Sequence, residues 1–314
     1  MPVCEVCHHH CNLNEGNLGL CRARICKEGE IVCANYGYIT SIALDPIEKK
    51  PLNRFHPGSN IMSVGSYGCN LRCPFCQNHS ISYGYEMTSP VNRILDGEDK
   101  NSSSNDADKH ISENSENFIP RPDIPLRYGT PSELVSLALS CTDSGNIGIA
   151  FTYNEPLVGY EFVRDTAKLA HESGLLNVLV SNGDASQTVC DELLPHIDAM
   201  NIDLKGFTDD YYEKILKGNR QMVMDFIEMS APACHLELTT LIVPSFNDTD
   251  EEIDKLSSWI SELNSGKGVE IPLHISRFFP RFNLTDRDAT DVDLIYHLAD
   301  VAGKNLKYVY TGNC

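Results

Sequence analysis

Residues 68–78 read GCNLRCPFCQN, with Cys69, Cys73 and Cys76 four and then three positions apart. Two thiols at such spacing can form a redox pair, and four can close a zinc site. Three thiolates on one short loop can hold three irons of a four-iron, four-sulfur cluster. The fourth iron then has no protein ligand and is open to a reactant, as the free position of a catalytic zinc is. A second set of thiols lies upstream. CEVCHHHC supplies Cys4, Cys7 and Cys11, and GLCRAR adds Cys21. These spacings can close a four-thiolate site, and three readings stand: zinc, an auxiliary iron–sulfur cluster, or an unmetallated redox module. His8, His9 and His10, between those cysteines, read as loop, and Cys26 and Cys33 are spare.

Thirteen cysteines, nine of them within the first 76 residues, form an odd-numbered set, and MPVCEVCHHH has no apolar signal core. That combination predicts a reducing, cytoplasmic setting and metal ligation rather than disulfides. Cys141, Cys190 and Cys234 lie among apolar residues and read as small core hydrophobes. Lys and Arg number 25 against 44 Asp and Glu, a formal charge of −19. Such an excess disfavours the phosphate backbone of nucleic acid and anionic lipid. No apolar run is long enough to cross a bilayer. The expectation is therefore a partner that is neither nucleic acid nor membrane. A chain of 314 residues with 41% hydrophobic content suits one large domain and a small one.

The elements that must hold the cysteines divide accordingly. Residues 1–58 are rich in Cys, Gly and Asn with little regular pattern, and read as a small metal- or cluster-binding module. Residues 59–314 form the main domain, interrupted at about 90–127 by a polar Asn/Ser/Asp-rich insertion that reads as disordered. Strand IMSVGS (61–66) runs into the cysteine loop. TPSELVSLALS has Thr130 as N-cap, Pro131 in the first turn and Glu133 completing a capping box. Further strands are expected at 146–152, 177–182, 199–204, 235–243, 272–278 and 306–312, with helices near 157–172, 187–194, 208–229, 249–263 and 291–302. Apolar strands alternating with amphipathic helices mean an α/β fold with a parallel sheet. Seven strands without G-x-G-x-x-G favour a full or partial (β/α) barrel. Barrel active sites sit at the C-terminal strand ends. There the chain places the cysteine loop, TYNEP (152–156), SNGD (181–184), DLK (203–205) and SRF (276–278), which suggests one shared cavity.

The pattern C-x-x-x-C-x-x-C, with Phe75 before the last cysteine, resembles the radical SAM superfamily. The resemblance implies that S-adenosylmethionine chelates the open iron of a 4Fe-4S cluster. One electron then cleaves it to a 5′-deoxyadenosyl radical that abstracts hydrogen from a substrate. It also implies roles for the rim residues. Glu155 would accept from the methionine ammonium, although Tyr153-Asn154 replaces the two glycines that usually precede it. Asn182 would contact the ribose or the methionine. Asp203 and Lys205 would bind the methionine portion, and Arg277 the methionine carboxylate or the substrate. SIALDPIEKKPLNRFHPGS (41–59), IDAMNIDLKGF, TTLIVPSFND and LHISRFFP resemble the AmmeMemoRadiSam-system radical SAM enzymes, relatives of the pyruvate formate-lyase activating enzyme. That family similarly carries a cysteine module ahead of its barrel. It implies a flavodoxin- or ferredoxin-type electron donor and a protein or peptide substrate, such as a Memo-type partner. The alternatives are a glycyl-radical enzyme activase and, in another class, a non-catalytic zinc-binding scaffold.

Overall fold

A computed structural model describes residues 1–83 and 124–314. The stretch 90–123 of the expected insertion lies outside the described residues. Near the N-terminus, β1 (Arg24–Lys27) and β2 (Glu30–Cys33) form an antiparallel hairpin, followed by the short β3 (Tyr38–Ile39). β4 (Ser41–Pro46) and β5 (Asn60–Gly65) pair antiparallel. β6 (Arg127–Tyr128) returns to pair with β3, so Arg127 leaves the insertion in which composition placed it.

Six further strands complete the main sheet: β7 (Asn146–Phe151), β8 (Leu176–Ser181), β9 (Ala199–Asp203), β10 (His235–Ile242), β11 (Leu273–Arg277) and β12 (Val309–Gly312). Among the described residues the sheet has eight strands in the order β12-β11-β10-β9-β8-β7-β5-β4. Every neighbouring pair is parallel except β4 with β5. NIGIAF, LNVLVS and HLELTTLI are rich in β-branched and leucine side chains and are buried almost throughout, as parallel strands covered on both faces must be. Helices follow them in alternation. Helix Pro131–Ser140 shows both halves of its capping box: the Thr130 side chain accepts from the Glu133 N–H, and the Glu133 carboxylate accepts from the Thr130 N–H. The helical region expected near 208–229 is split into a wide turn over Tyr211–Leu216 and helix Arg220–Ser230.

One expectation is corrected by β4. Residues 41–58 were grouped with the Cys-rich module, yet Ser41–Pro46 is an edge strand of the main sheet. Its burial alternates, with Ile42 and Leu44 both 39% exposed, so it lacks the continuous apolar run that marks its neighbours. Ile47 and Leu52 beyond it are fully buried with Ile61, Ala150, Val178 and Ala199.

The same segment closes the N-terminal end of the sheet around a buried carboxylate. Glu237 accepts from the backbone N–H groups of Asn53 (3.1 Å) and Arg54 (2.8 Å). It also pairs with His235 (2.9 Å) and His274 (2.6 Å). Asn201 donates to the Pro51 carbonyl at 2.8 Å, and the Arg54 guanidinium lies 3.7 Å from the Tyr308 ring centre. Burial opposes the Glu237 charge, yet the two histidines and the Arg54 N–H hold its carboxyl down to about 2. Among the described residues no helix is long and apolar enough to cross a membrane.

Candidate active site

At the opposite, C-terminal end of the strands a chamber of about 360 Å³ opens. Cys69, Cys73 and Cys76 all line it, together with Glu155, Asn182, Asp203 and Lys205. The sequence expectation of one shared cavity is met for these residues.

The cysteine loop is fixed by its backbone. The Gly68 N–H donates to the Ile81 carbonyl (3.0 Å), and the Arg72 N–H to Leu216 (2.7 Å). The Arg72 guanidinium donates to the Cys69 and Leu71 carbonyls at 2.9 Å and also to the carbonyl of Leu20. Gly68 has φ +95°, and a Cβ there would sit 2.5 Å from the Cys21 carbonyl oxygen, so only glycine lets the N-terminal segment lie against the loop. His8 and His9 complete that contact. His8 Nδ1 donates to Asp184 (2.8 Å), and His9 Nε2 donates to the Asn70 carbonyl inside the loop (2.8 Å). The histidines read as plain loop are docking groups.

Burial drives the Cys69 thiol well above the ordinary thiol range, and the Glu155 carboxylate and the Cys73 sulfur add to the shift. Burial likewise pushes Cys73 up to about 12, although Lys205 opposes it. Such thiols ionise readily only beside a compensating cation, which iron supplies. Among the described residues no three His, Cys, Asp or Glu side chains converge to grip one metal ion. Cluster ligands need no such convergence, because each thiolate binds a different iron. Tyr83, buried on the same wall, has a hydroxyl with no hydrogen-bond partner among the described residues. Three separate soft donors and one unused polar group fit an iron–sulfur cluster and a polar ligand beside it.

Glu155 sits beneath the rim. Its Oε1 accepts from the Leu157 N–H (3.0 Å) and from Ser181 Oγ (2.7 Å), and Oε2 accepts from the Asn182 N–H (2.8 Å). Burial pushes its carboxyl up to about 7 against those three donors. A carboxylate offers about four acceptor positions, so one remains for a ligand. Tyr153 takes the backbone shape of the glycine it replaces, with φ +72°. Asn78 donating to its carbonyl (2.6 Å) and its own hydroxyl donating to Asp45 (2.8 Å) hold it there. Lys205 and Asp203 form an ion pair at 2.9 Å. Burial works against the Lys205 charge, yet Asp203 and then Cys73 keep its pKa well above the usual lysine value.

Two expected residues have other partners in the structure. Asn182 turns its side chain toward the cysteine loop: Nδ2 donates to Asn70 Oδ1 (2.9 Å) and to Cys69 Sγ (3.8 Å). Arg277 does not line the chamber. Its Nε donates to the Thr290 carbonyl at 2.6 Å and its guanidinium lies over Phe279. Strand side chains alternate between faces, so it is the neighbouring Ser276 that lines the wall, where Asn313 donates to it at 3.0 Å. Lys49 and Lys50 line the wall too, without any local signal in the sequence. Lys50 is buried against Asp45 at 2.8 Å and lies 4.9 Å from the Tyr153 ring centre.

The upstream thiols stand within electrostatic reach of one another. Burial raises Cys4, Cys7 and Cys21, with Cys11 and Cys21 among the lesser causes. Cys26 stands apart beside Glu15. The hairpin that follows Cys21 is tied to the helix over Tyr160–Glu172 by Arg24, whose guanidinium donates to both oxygens of Glu161 at 2.7 and 2.6 Å.

A family model for the Radical SAM superfamily matches residues 63–260. The chain belongs to the Radical SAM superfamily. This radical SAM chain is 36% identical over 314 residues to the uncharacterized protein MJ0808 of Methanocaldococcus jannaschii, covering 99% of this chain and 80% of that one. It is 28% identical over 134 residues to the pyruvate formate-lyase-activating enzyme of Clostridium pasteurianum, covering 42% of this chain and 56% of that one. Among solved structures, a radical SAM methyltransferase from Sphaerobacter thermophilus aligns over 82% of this chain and 67% of its own, with TM-score 0.51 and 13% identity. QueE from Escherichia coli aligns over 88% and 93%, with TM-score 0.50 and 11% identity. At those identities the likeness is one of fold. The family is enzymatic, and membership implies a 4Fe-4S cluster and S-adenosylmethionine.

Proposed function

We propose that this chain is a radical SAM enzyme of the AmmeMemoRadiSam type, acting on a protein or peptide such as a Memo-type partner. The observation that carries the reading is the meeting of Cys69, Cys73 and Cys76 with Glu155, Asp203 and Lys205 on one chamber wall. Its volume, about 360 Å³, lies within the range of small-molecule sites, about 300–1,000 Å³. When bound, the cluster and S-adenosylmethionine supply one-electron cleavage of the sulfonium and a hydrogen-abstracting radical. The protein's part is binding and exclusion. Lys205, held by Asp203, neutralises the methionine carboxylate, and the free acceptor position of Glu155 takes the methionine ammonium. Leu71, Phe75, Val180 and Leu241 line the same chamber and keep water from it.

A peptide substrate is supported by the sheet edges. β4 and β12 are its two outer strands, and the chamber wall includes Lys49 and Lys50 beyond one and Asn313 beyond the other. An extended peptide can pair its backbone with such an edge. A flavodoxin- or ferredoxin-type donor would deliver the electron. The upstream Cys4, Cys7, Cys11 and Cys21 would hold zinc or a second cluster. The similarity to the Clostridium pasteurianum activating enzyme supports a second reading, activation of a glycyl-radical enzyme, which predicts a glycyl EPR doublet on a candidate lyase.

The deciding experiment is anaerobic reconstitution with iron and sulfide, followed by reduction with S-adenosylmethionine present. A brown protein that releases 5′-deoxyadenosine, and a Cys69→Ala variant that does not, are expected. A colourless protein carrying only zinc would replace the enzyme with the scaffold reading.

A further inference from the structure

The side chain of Asn182 is 5% exposed and fully committed. Its Oδ1 accepts from the Asp184 N–H at 2.9 Å. That bond sets the orientation of the amide, because the reversed amide would face one donor with another. Nδ2 is thereby aimed at Asn70 Oδ1 and Cys69 Sγ. Asn70, 1% exposed, cannot reverse either, since its own Nδ2 donates to the Asp184 carbonyl at 2.6 Å. Asp184 is fully buried and held from two sides, by the Asn219 N–H at 3.0 Å and by His8 at 2.8 Å. One continuous chain of donors therefore runs from the N-terminal cysteine segment to a single sulfur of the three-cysteine loop. Cys73 has the Lys205 charge nearby instead, and Cys76 has the Ser82 hydroxyl at 3.9 Å.

We propose that Asn182 is a positioning residue for the cluster's electronics: its amide donates to the Cys69 sulfur and raises the reduction potential of the cluster bound there. The inference rests on the cluster reading above. Reduction adds negative charge that spreads onto the thiolate sulfurs, and a donor at a sulfur stabilises the reduced form more than the oxidised one. Burial of Asn70, Asn182 and Asp184 keeps water from screening that donor. Asp184 and His8 act through Asn182 by holding the amide in its donating orientation, which makes the N-terminal segment part of the cluster's surroundings.

The test compares wild type with Asn182→Ala and Asn182→Leu, each reconstituted anaerobically, with iron and sulfide counted and the potential read by EPR-monitored redox titration. Leucine keeps the branched shape and heavy-atom count of asparagine, and its bulkier methyl groups leave no room for a substitute water. At a fixed solution potential the ratio of reduced to oxidised cluster is expected to fall about tenfold in both variants, about 59 mV for a one-electron couple. His8→Ala is expected to shift the midpoint in the same direction by less. An unchanged or raised midpoint in both Asn182 variants overturns the proposal. So does failure of both to hold a cluster that the wild type holds, since Asn182 would then serve assembly alone. A wild type that binds no cluster refutes the cluster reading instead, so the two failures are distinct.

Discussion

Replacing Glu237 by glutamine would remove a charge that the fold has surrounded with donors. The carboxyl group is fully buried, and its pKa is held at about 2 by His235, His274 and the Arg54 N–H, against the desolvation that opposes its charge. The ordinary value is 4.5, so the fold favours the ionised form by about 3.5 kcal/mol, at about 1.4 kcal/mol for each tenfold in the ionisation equilibrium. Because the folded value lies below the unfolded one, this stability is fully present above about pH 4.5. It is lost as pH falls toward about 2. The stability gap between wild type and Glu237→Gln should therefore be about 3.5 kcal/mol at neutral pH and less than half that by about pH 3. Urea denaturation of both proteins across that range reads it directly. A gap that stayed constant with pH, or widened on acidification, would refute the argument that charge rather than shape carries the effect. The variant should also loosen residues 51–56, whose Asn53 and Arg54 amides lose an ionised acceptor. Hydrogen exchange at those two amides should accelerate by more than exchange in β8, which rises only with the loss of global stability.

Two other perturbations separate binding from scaffold. Lys205→Met keeps the bulk and removes the cation beside Asp203 and Cys73; titration calorimetry on the reconstituted protein should show S-adenosylmethionine binding weakened about tenfold or more, the worth of one charged hydrogen bond. Arg24→Ala leaves Glu161 without its two-point partner, costing about 3 kcal/mol as for a buried pair broken on one side. Limited proteolysis should then release the segment ahead of β3 while the main sheet resists.

Strand runs such as NIGIAF and HLELTTLI were legible because a parallel strand is apolar along its whole length, and the Thr130 capping box because its partners are three residues apart. The cysteine triad was legible for the same reason, since its spacing alone brings three sulfurs onto one loop. β4 was not, because its less exposed positions are Ser41, Ala43 and Asp45 while the apolar Ile42 and Leu44 fall at its exposed ones, so its alternation runs against the usual pattern of a half-buried strand. The orientation of Asn182 is set by Asp184 and Asn70, and Arg277 is drawn aside by the Thr290 carbonyl. His8 and His9 find their partners on Asp184 and Asn70, far along the chain. Contacts of that kind depend on which surfaces meet after folding, and no local pattern encodes them.

The chamber wall is assembled from distant parts of the chain, with Lys49 and Lys50 following β4 and Asn313 following β12. During synthesis the three thiols leave the ribosome long before the strand that finishes their enclosure. Until β12 docks, those sulfurs face solvent and any oxidant in it. The order of synthesis thus leaves the bare thiols open to oxidation until the last strand of the sheet is in place: thiols first, shelter last.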